Sequence, residues 1–500
     1  MSQKAKGALL GYVAIVVGIV SALIFTPVLV AELGTDNYGI LNLAMAFVAY
    51  ISILDLGMND SLLRFFVKHR GSTEEKEKFL GRMLFTYVLV GFFIISVVWL
   101  LAESFVSIFA KGLTLDKILV LEEMFKIVGV GAAIMIASNP LSSLIYAEER
   151  FVFLRSLEIF TSVLSIVVIY LLLINDYGLI EIAWSMCAFK VFTGLCRFIY
   201  VSNALKFRIR LALPQWPELR KILLYGAPIF AAAMMGPLFH KIDHILIGSM
   251  VGAAAVSIYA IGVMFNKYVM SLTIVITRVF TPDIIRKIDS GISSAEILSL
   301  LVRISRIQAL FIYLVLGGVV VFGQQFLVLW LNEDFALSYY VLLFVLLPFS
   351  LEIIGNSRNI VLQVKEAYWY RSLTMVIMAI INIILTLLLL PRFGVIGAAV
   401  GTGAALLIGY VILGGVLQAK AEVSFLKYIK GVYGKTLPVN AVMVCMALWL
   451  THGITFTWLT FAGAVVLYSV MYVAVTYILL LNRDERALIG RLLNRKQLTS

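Results

Sequence analysis

Five basic residues stand in stretches of this 500-residue sequence that are otherwise apolar: Lys126, Lys190, Arg197, Lys241 and Lys267. A charge in hydrocarbon costs about 2.5–3.5 kcal/mol or more, so each needs a carboxylate partner, a wet cavity or a route to the interface. Lys190 and Arg197 are two helical turns apart, share one face and lie about 10 Å apart along the axis. Arg197 can snorkel inward, whereas Lys190 and Lys267 stand about 15 Å from either edge of their spans. Positive charge in a low-dielectric cleft attracts a phosphate-bearing ligand far more strongly than the same charge on a wet surface. Lys190, Arg197, Lys267 and Lys241 are therefore the candidate substrate-binding residues, the alternative being that they pair with carboxylates for packing. For Lys126 that alternative is the better reading, because Glu122 and Glu123 precede it by four and three residues.

A second set of residues suits ion coupling. His240, Asp243 and His244 share a helical face with Lys241 beside it. A histidine next to a carboxylate can carry a proton near neutral pH, and a self-neutralising cluster near the outer interface explains the same residues equally well. Asp55 and Glu352 are the other deep carboxylates. Either can bind a coupling cation or proton, and Asp55 can alternatively cap the inner end of its helix. The coupling candidates are thus Asp55, Asp243, His240 and Glu352. Zinc would need a third ligand beside His240 and His244, and Cys187, Cys196 and Cys445 lie at no ligand spacing, so no metal site and no disulfide framework are expected.

The elements that hold these residues are membrane spans. Apolar residues make up 62% of the chain, charged residues 14%, and mean hydropathy is +1.02, which excludes a water-soluble domain. Runs long enough for a hydrocarbon core of about 30 Å cover 8–31, 39–60, 82–102, 121–146, 153–174, 179–204, 222–250, 253–277, 305–331, 337–361, 372–390, 394–417, 437–450 with its flanks, and 458–481. Fourteen transmembrane helices are expected. With the amino terminus inside, 32 of the 40 Lys and Arg fall in inner segments, and only Lys111, Lys117 and Arg392 fall outside. This asymmetry places both termini in the cytoplasm. The first run is too long for a cleavable signal core and is expected to stay in the protein. Pro27, Pro140, Pro228, Pro237 and Pro348 fall within spans, where a missing N–H makes a kink.

The chain also repeats. Arg155-Ser156-Leu157 recurs as Arg371-Ser372-Leu373, and Tyr177-Gly178-Leu179-Ile180 as Phe393-Gly394-Val395-Ile396, both 216 positions on. A weaker echo links Leu33-Gly34 to Val251-Gly252. Six spans separate the copies, an even number, so the repeat is parallel. The expected fold is an all-α polytopic membrane protein: a six-helix lobe (1–205), a cytoplasmic linker (206–221), a second six-helix lobe (222–418), two additional helices (419–482) and a cytoplasmic tail (483–500).

Two stretches carry a resemblance to a known group. Thr26-Pro27, then Leu33-Gly34-Thr35-Asp36-Asn37-Tyr38-Gly39 and Leu54-Asp55-Leu56-Gly57, resemble bacterial polysaccharide-biosynthesis flippases of the MOP (MATE-like) exporter superfamily. So does Ile242-Asp243-His244-Ile245-Leu246-Ile247-Gly248 leading into Val256-Ser257-Ile258-Tyr259-Ala260. The resemblance implies a multi-pass protein of the bacterial plasma membrane that moves an undecaprenyl-diphosphate-linked oligosaccharide to the outer leaflet by alternating access. Its expected partners are that polyprenyl-diphosphate-linked glycan, membrane lipids, a proton or sodium gradient and a polysaccharide polymerase. An ion-coupled multidrug antiporter of the MATE type and a lipid II flippase are the alternatives. Enzymatic activity and a cofactor are not expected: Gly434-Lys435-Thr436 lacks the earlier glycine of a phosphate loop, position 429 being Ile429. The basic inner segments are explained by topology and anionic lipid rather than nucleic acid.

Overall fold

The computed structural model describes residues 3–55, 57–68, 73–482 and 486. The expected tail, Leu56 of the motif above, and the basic residues Arg70, Arg483, Arg491, Arg495 and Lys496 lie outside the described residues, Arg486 excepted. Among the described residues the chain is helical throughout, with no strand. The α-helices are α1 (Gln3–Ile51), α2 (Met58–Lys68), α3 (Thr73–Val106), α4 (Leu115–Ala137), α5 (Asn139–Ala147), α6 (Phe151–Leu173), α7 (Leu179–Ile199) and α8 (Trp216–Met250). They continue as α9 (Ala253–Asp289), α10 (Ser294–Trp330), α11 (Ala336–Ile354), α12 (Asn356–Val364), α13 (Trp369–Ala421), α14 (Phe425–Thr451) and α15 (Trp458–Val475). Ten helical stretches among the described residues are long and apolar enough to cross a membrane.

Local chemistry sets where these helices start and break. Ser293 caps α10, and Glu296 reaches back to the Ser293 N–H at 2.9 Å. That hydrogen bonding holds the exposed Glu296 carboxyl below its usual range. Helices α1 and α13 are each two helices joined at a glycine, Gly34 (φ 75°) and Gly394 (φ 57°). A side chain is strained at such angles, so glycine marks the end of one span and the start of the next.

The repeat is visible in the backbone. Nine-residue helices α5 and α12 begin at Asn139 and Asn356, 217 positions apart, each just after a break in a longer span. Each is followed by a glutamate in the left-handed region, Glu149 (φ 58°) and Glu366 (φ 56°), again 217 positions apart. Gly34 and Gly252, the weak echo of the sequence, both have positive φ.

The helices form two compact units, residues 1–260 with 379–398, and residues 261–378 with 399–500. In the first, α4 packs between α3 and α7, α1 lies on α6, and α2 lies on α5 and α8. Its core includes Leu62, Phe66, Phe79, Leu80, Tyr87 and Leu144. Close backbone approach joins helix ends here: Gly39 faces the Ala253 carbonyl, Gly112 faces Gly248, and Ser257 donates to the Thr35 carbonyl. In lipid, where apolar burial gives helices little reason to associate, such small-residue contacts and hydrogen bonds supply the packing. Gly39→Ala would drive a methyl into the Ala253 carbonyl and is expected to cost about 1–3 kcal/mol. Gly18→Ala, which meets no atom within 4 Å, should be neutral or slightly stabilising; thermal unfolding of the two purified variants checks this contrast.

In the second unit α10 is the central helix, contacting α11, α12, α14 and α15. Tyr472 donates to the Leu310 carbonyl at 2.7 Å, and the Tyr468 ring lies against Gly317, so α15 is fixed to α10 by two tyrosines one turn apart. Two arginines assigned above to inner segments are in fact buried in helices. Arg306 donates to the Leu480 carbonyl at 2.9 Å. Arg358 donates to the Gly355 carbonyl at 3.1 Å and stacks 4.2 Å above the Tyr410 ring. Helix α10 begins at Ser294, eleven residues before the expected span, so Arg306 lies well inside a helix. Arg358 lies in α12, which follows the break at Gly355.

Candidate functional site

Helix α7 carries two of the cationic candidates on the face that meets α4. Cys187 on this face packs against Gly131, and Gly194 packs against Ser138. Lys190 lies between them in sequence, about 60° round the helix from Cys187, and Arg197 follows. Arg197 is half-buried, its Nη1 donating to Ser138 Oγ at 3.0 Å and approaching Met135 Sδ at 3.7 Å. Lys190 is exposed. Among the described residues it has no carboxylate in ion-pair reach. The same holds for Lys267, which is exposed on α9 in the second unit.

The break between α4 and α5 gathers polar groups in the first unit. Pro140 lacks an N–H and sits in the first turn of α5, so the helical ladder cannot run through. Ser138, at the end of α4, receives Arg197. The next residue, Asn139, donates through Nδ2 to Asp55 Oδ1 at 3.0 Å. The second oxygen of Asp55 accepts the Asn59 N–H at 3.0 Å, at the start of α2. Ser143 then donates to Asn59 Oδ1 at 2.7 Å. Asp55 therefore serves as a helix cap and also stands two residues' bonding away from Arg197.

The second candidate set centres on Asp243 of α8, 1% exposed. Its Oδ2 accepts from the Tyr259 hydroxyl at 2.5 Å and from Asn382 Nδ2 at 3.4 Å, and its Oδ1 accepts from Thr386 Oγ1 at 3.2 Å. Thr386 also bonds Asn382 Oδ1 at 3.1 Å. His244 is equally buried, edge-on to the Tyr259 ring at 5.5 Å, and its Nδ1 has no hydrogen-bond partner. His240 is exposed, with the Phe239 ring edge-on at 5.1 Å, and Lys241 is half-buried. Glu352 of α11 lies apart from these, half-buried in the second unit within electrostatic reach of Arg371 and Arg358. Lys126 pairs with Glu122 at 2.5 Å, as its spacing suggested.

Asn382 and Thr386, both fully buried, are the members of this candidate site that sequence reasoning missed. Their signal is present: two polar residues one helical turn apart inside an otherwise apolar span.

This architecture is shared with solved transporters of the MOP superfamily. The chain covers 97% of its own length and 99% of the lipid II flippase MurJ in an inward closed conformation, with a TM-score of 0.70 and 15% identity. An inward-facing multidrug resistance MATE family transporter follows, at TM-score 0.64 and 12% identity, over 88% of this chain and 96% of that one. A MOP superfamily transporter from Pyrococcus furiosus, described by the reverse polarity of its binding pocket, matches at TM-score 0.57 and 13% identity, over 84% of this chain and 96% of that one. At such identities the likeness establishes the fold. The chain itself belongs to the family described as polysaccharide biosynthesis protein, whose model matches residues 5–288. Among curated proteins, none matches.

Proposed function

We propose that this protein carries an undecaprenyl-diphosphate-linked oligosaccharide from the cytoplasmic to the outer leaflet of a bacterial plasma membrane, with both termini in the cytoplasm. The observation that carries the reading is the state of Lys190. It is an exposed cation deep in a span, with Arg197 on the same helical face and no carboxylate paired to it among the described residues. A charge left in that condition is stabilised by an anionic ligand, and a diphosphate offers several oxygens to it. Arg197 would exchange its neutral bond to Ser138 for a charge-assisted bond to phosphate, and Lys267 and Lys241 would contribute further positive potential. The polyprenyl tail stays in lipid while the site alternates its exposure between the leaflets.

The energy would come from an ion gradient acting at Asp243. A buried carboxylate ringed by two hydroxyls and an amide can take up and release a cation or proton, with His240 and His244 on the same face as relays. Asp55 and Glu352 are secondary coupling candidates. Delivery of the glycan to a polysaccharide polymerase on the outer side completes the proposed role.

Likeness to MurJ over nearly the full length of both chains supports a second reading, lipid II as the cargo. Proteoliposomes loaded in turn with an undecaprenyl-diphosphate oligosaccharide, lipid II and a cationic dye decide between them. The proposed function requires transfer of the first substrate; transfer of lipid II alone supports the second reading, and transfer of the dye alone overturns both.

A further inference from the structure

Residues 206–215, between the seventh and eighth helices, are non-helical and lie along the start of α3. Lys206 has φ 58° and turns the chain out of the π-helical end of α7. From there the backbone is held along its length. The Arg208 N–H donates to Glu77 Oε1 at 2.8 Å, and the Arg210 carbonyl lies so close to Gly81 that no Cβ fits there. Arg82 then grips Glu218 with two bonds, at 2.6 and 2.9 Å. Side chains alternate as in a strand: Phe207 is buried and Ile209 half-buried, whereas Lys206, Arg208 and Arg210 all point outward. Beyond them Leu211, Leu213 and Trp216 are 60%, 74% and 68% exposed.

This row has a fixed height. Trp216 opens α8, whose first buried side chain is Ile222, and Arg82 lies where the third expected span begins. Three outward cations followed by exposed Leu, Leu and Trp thus stand beside the expected start of the third span, on a backbone tied to α3 at Arg208 and Arg210. Cations of this kind complement phosphate headgroups, and Trp and Leu beside them suit the region just below. We propose that residues 206–216 form a strap that binds anionic phospholipid, with Lys206, Arg208 and Arg210 on headgroup phosphates and Leu211, Leu213 and Trp216 at the acyl boundary. The leaflet concerned is the inner one, which rests on the orientation proposed above; binding itself does not depend on the cargo.

The test places a spin label at Leu213→Cys, in a chain whose Cys187, Cys196 and Cys445 are replaced by alanine. Its depth is read by oxygen and nickel-chelate collisions in vesicles of phosphatidylcholine with and without phosphatidylglycerol. The proposal expects the label at the acyl boundary with phosphatidylglycerol present, and its return toward water in the K206Q/R208Q/R210Q variant. That variant keeps the backbone bonds holding the strap. A label in water in both lipids, or one equally deep in both and unmoved by the triple substitution, overturns the proposal. Fluorescence quenching by brominated phosphatidylglycerol, taken as the difference between the unlabelled native chain and Trp216→Phe, probes the same contact without the cysteine replacements: quenching of Trp216 supports the strap and its absence overturns it.

Discussion

Substituting Lys190, Arg197 or Lys267 singly by glutamine should lower transport of the diphosphate-linked substrate by about thirtyfold or more, while leaving membrane insertion and folding intact. The magnitude follows from removing one partner of a charge pair formed away from water, which costs about 2–5 kcal/mol, where each 1.4 kcal/mol is about tenfold. The fold should tolerate the changes because none of the three makes an ion pair among the described residues. Arg197→Lys discriminates further. It keeps the charge but loses the planar fork, so partial recovery is expected if Arg197 meets phosphate with two bonds. Initial rates in proteoliposomes, with protein recovery and thermal unfolding alongside, measure all four variants. Normal rates from all three glutamine variants would remove the diphosphate from the proposed mechanism.

Asp243→Asn should abolish acceleration of transport by an imposed ion gradient and preserve exchange at equilibrium. Asparagine has the shape of the carboxylate and through its one oxygen can still accept from Tyr259 or from Thr386, yet it cannot change charge. Proteoliposomes given a pH gradient or a sodium gradient in turn identify the ion in the native protein, and the variant should respond to neither. A variant that still accelerates with the gradient would move coupling to Asp55 or Glu352. Substitutions around Asp243 act on stability instead: Thr386→Val and Asn382→Leu each leave a buried carboxylate short of a donor, a loss of about 1–3 kcal/mol.

The two sites differ in how far they could be read from residues alone. Lys190 and Arg197 were evident because charge is rare in oil, and the seven-residue interval fixes a shared face. The spans were evident for the same reason, since hydrocarbon leaves the backbone no structure but a helix in which to bond itself. What the residues hid is the exact end of each helix. The apolar run that makes 121–146 read as one span continues past its polar residues, so Ser138-Asn139-Pro140 was the one local hint of a joint where Arg197 and Asp55 are both held. Arg358 was hidden differently: a buried guanidinium bonded to carbonyls and stacked on Tyr410 has the same sequence appearance as a loop arginine. Asp243 was visible as a carboxylate, but Asn382 lies 139 positions away, and no local pattern joins the two.

That separation matters during biosynthesis. As the chain is made, the segment bearing Asp243 and Tyr259 enters the bilayer well before Asn382 and Thr386 have been translated. Until they arrive, this acid lacks the Asn382 and Thr386 donors, so a nascent chain stalled before residue 382 holds a less completely solvated carboxylate in the lipid. The finished protein is thus assembled from both ends of its own synthesis, and late truncation should be felt first at a residue made far earlier.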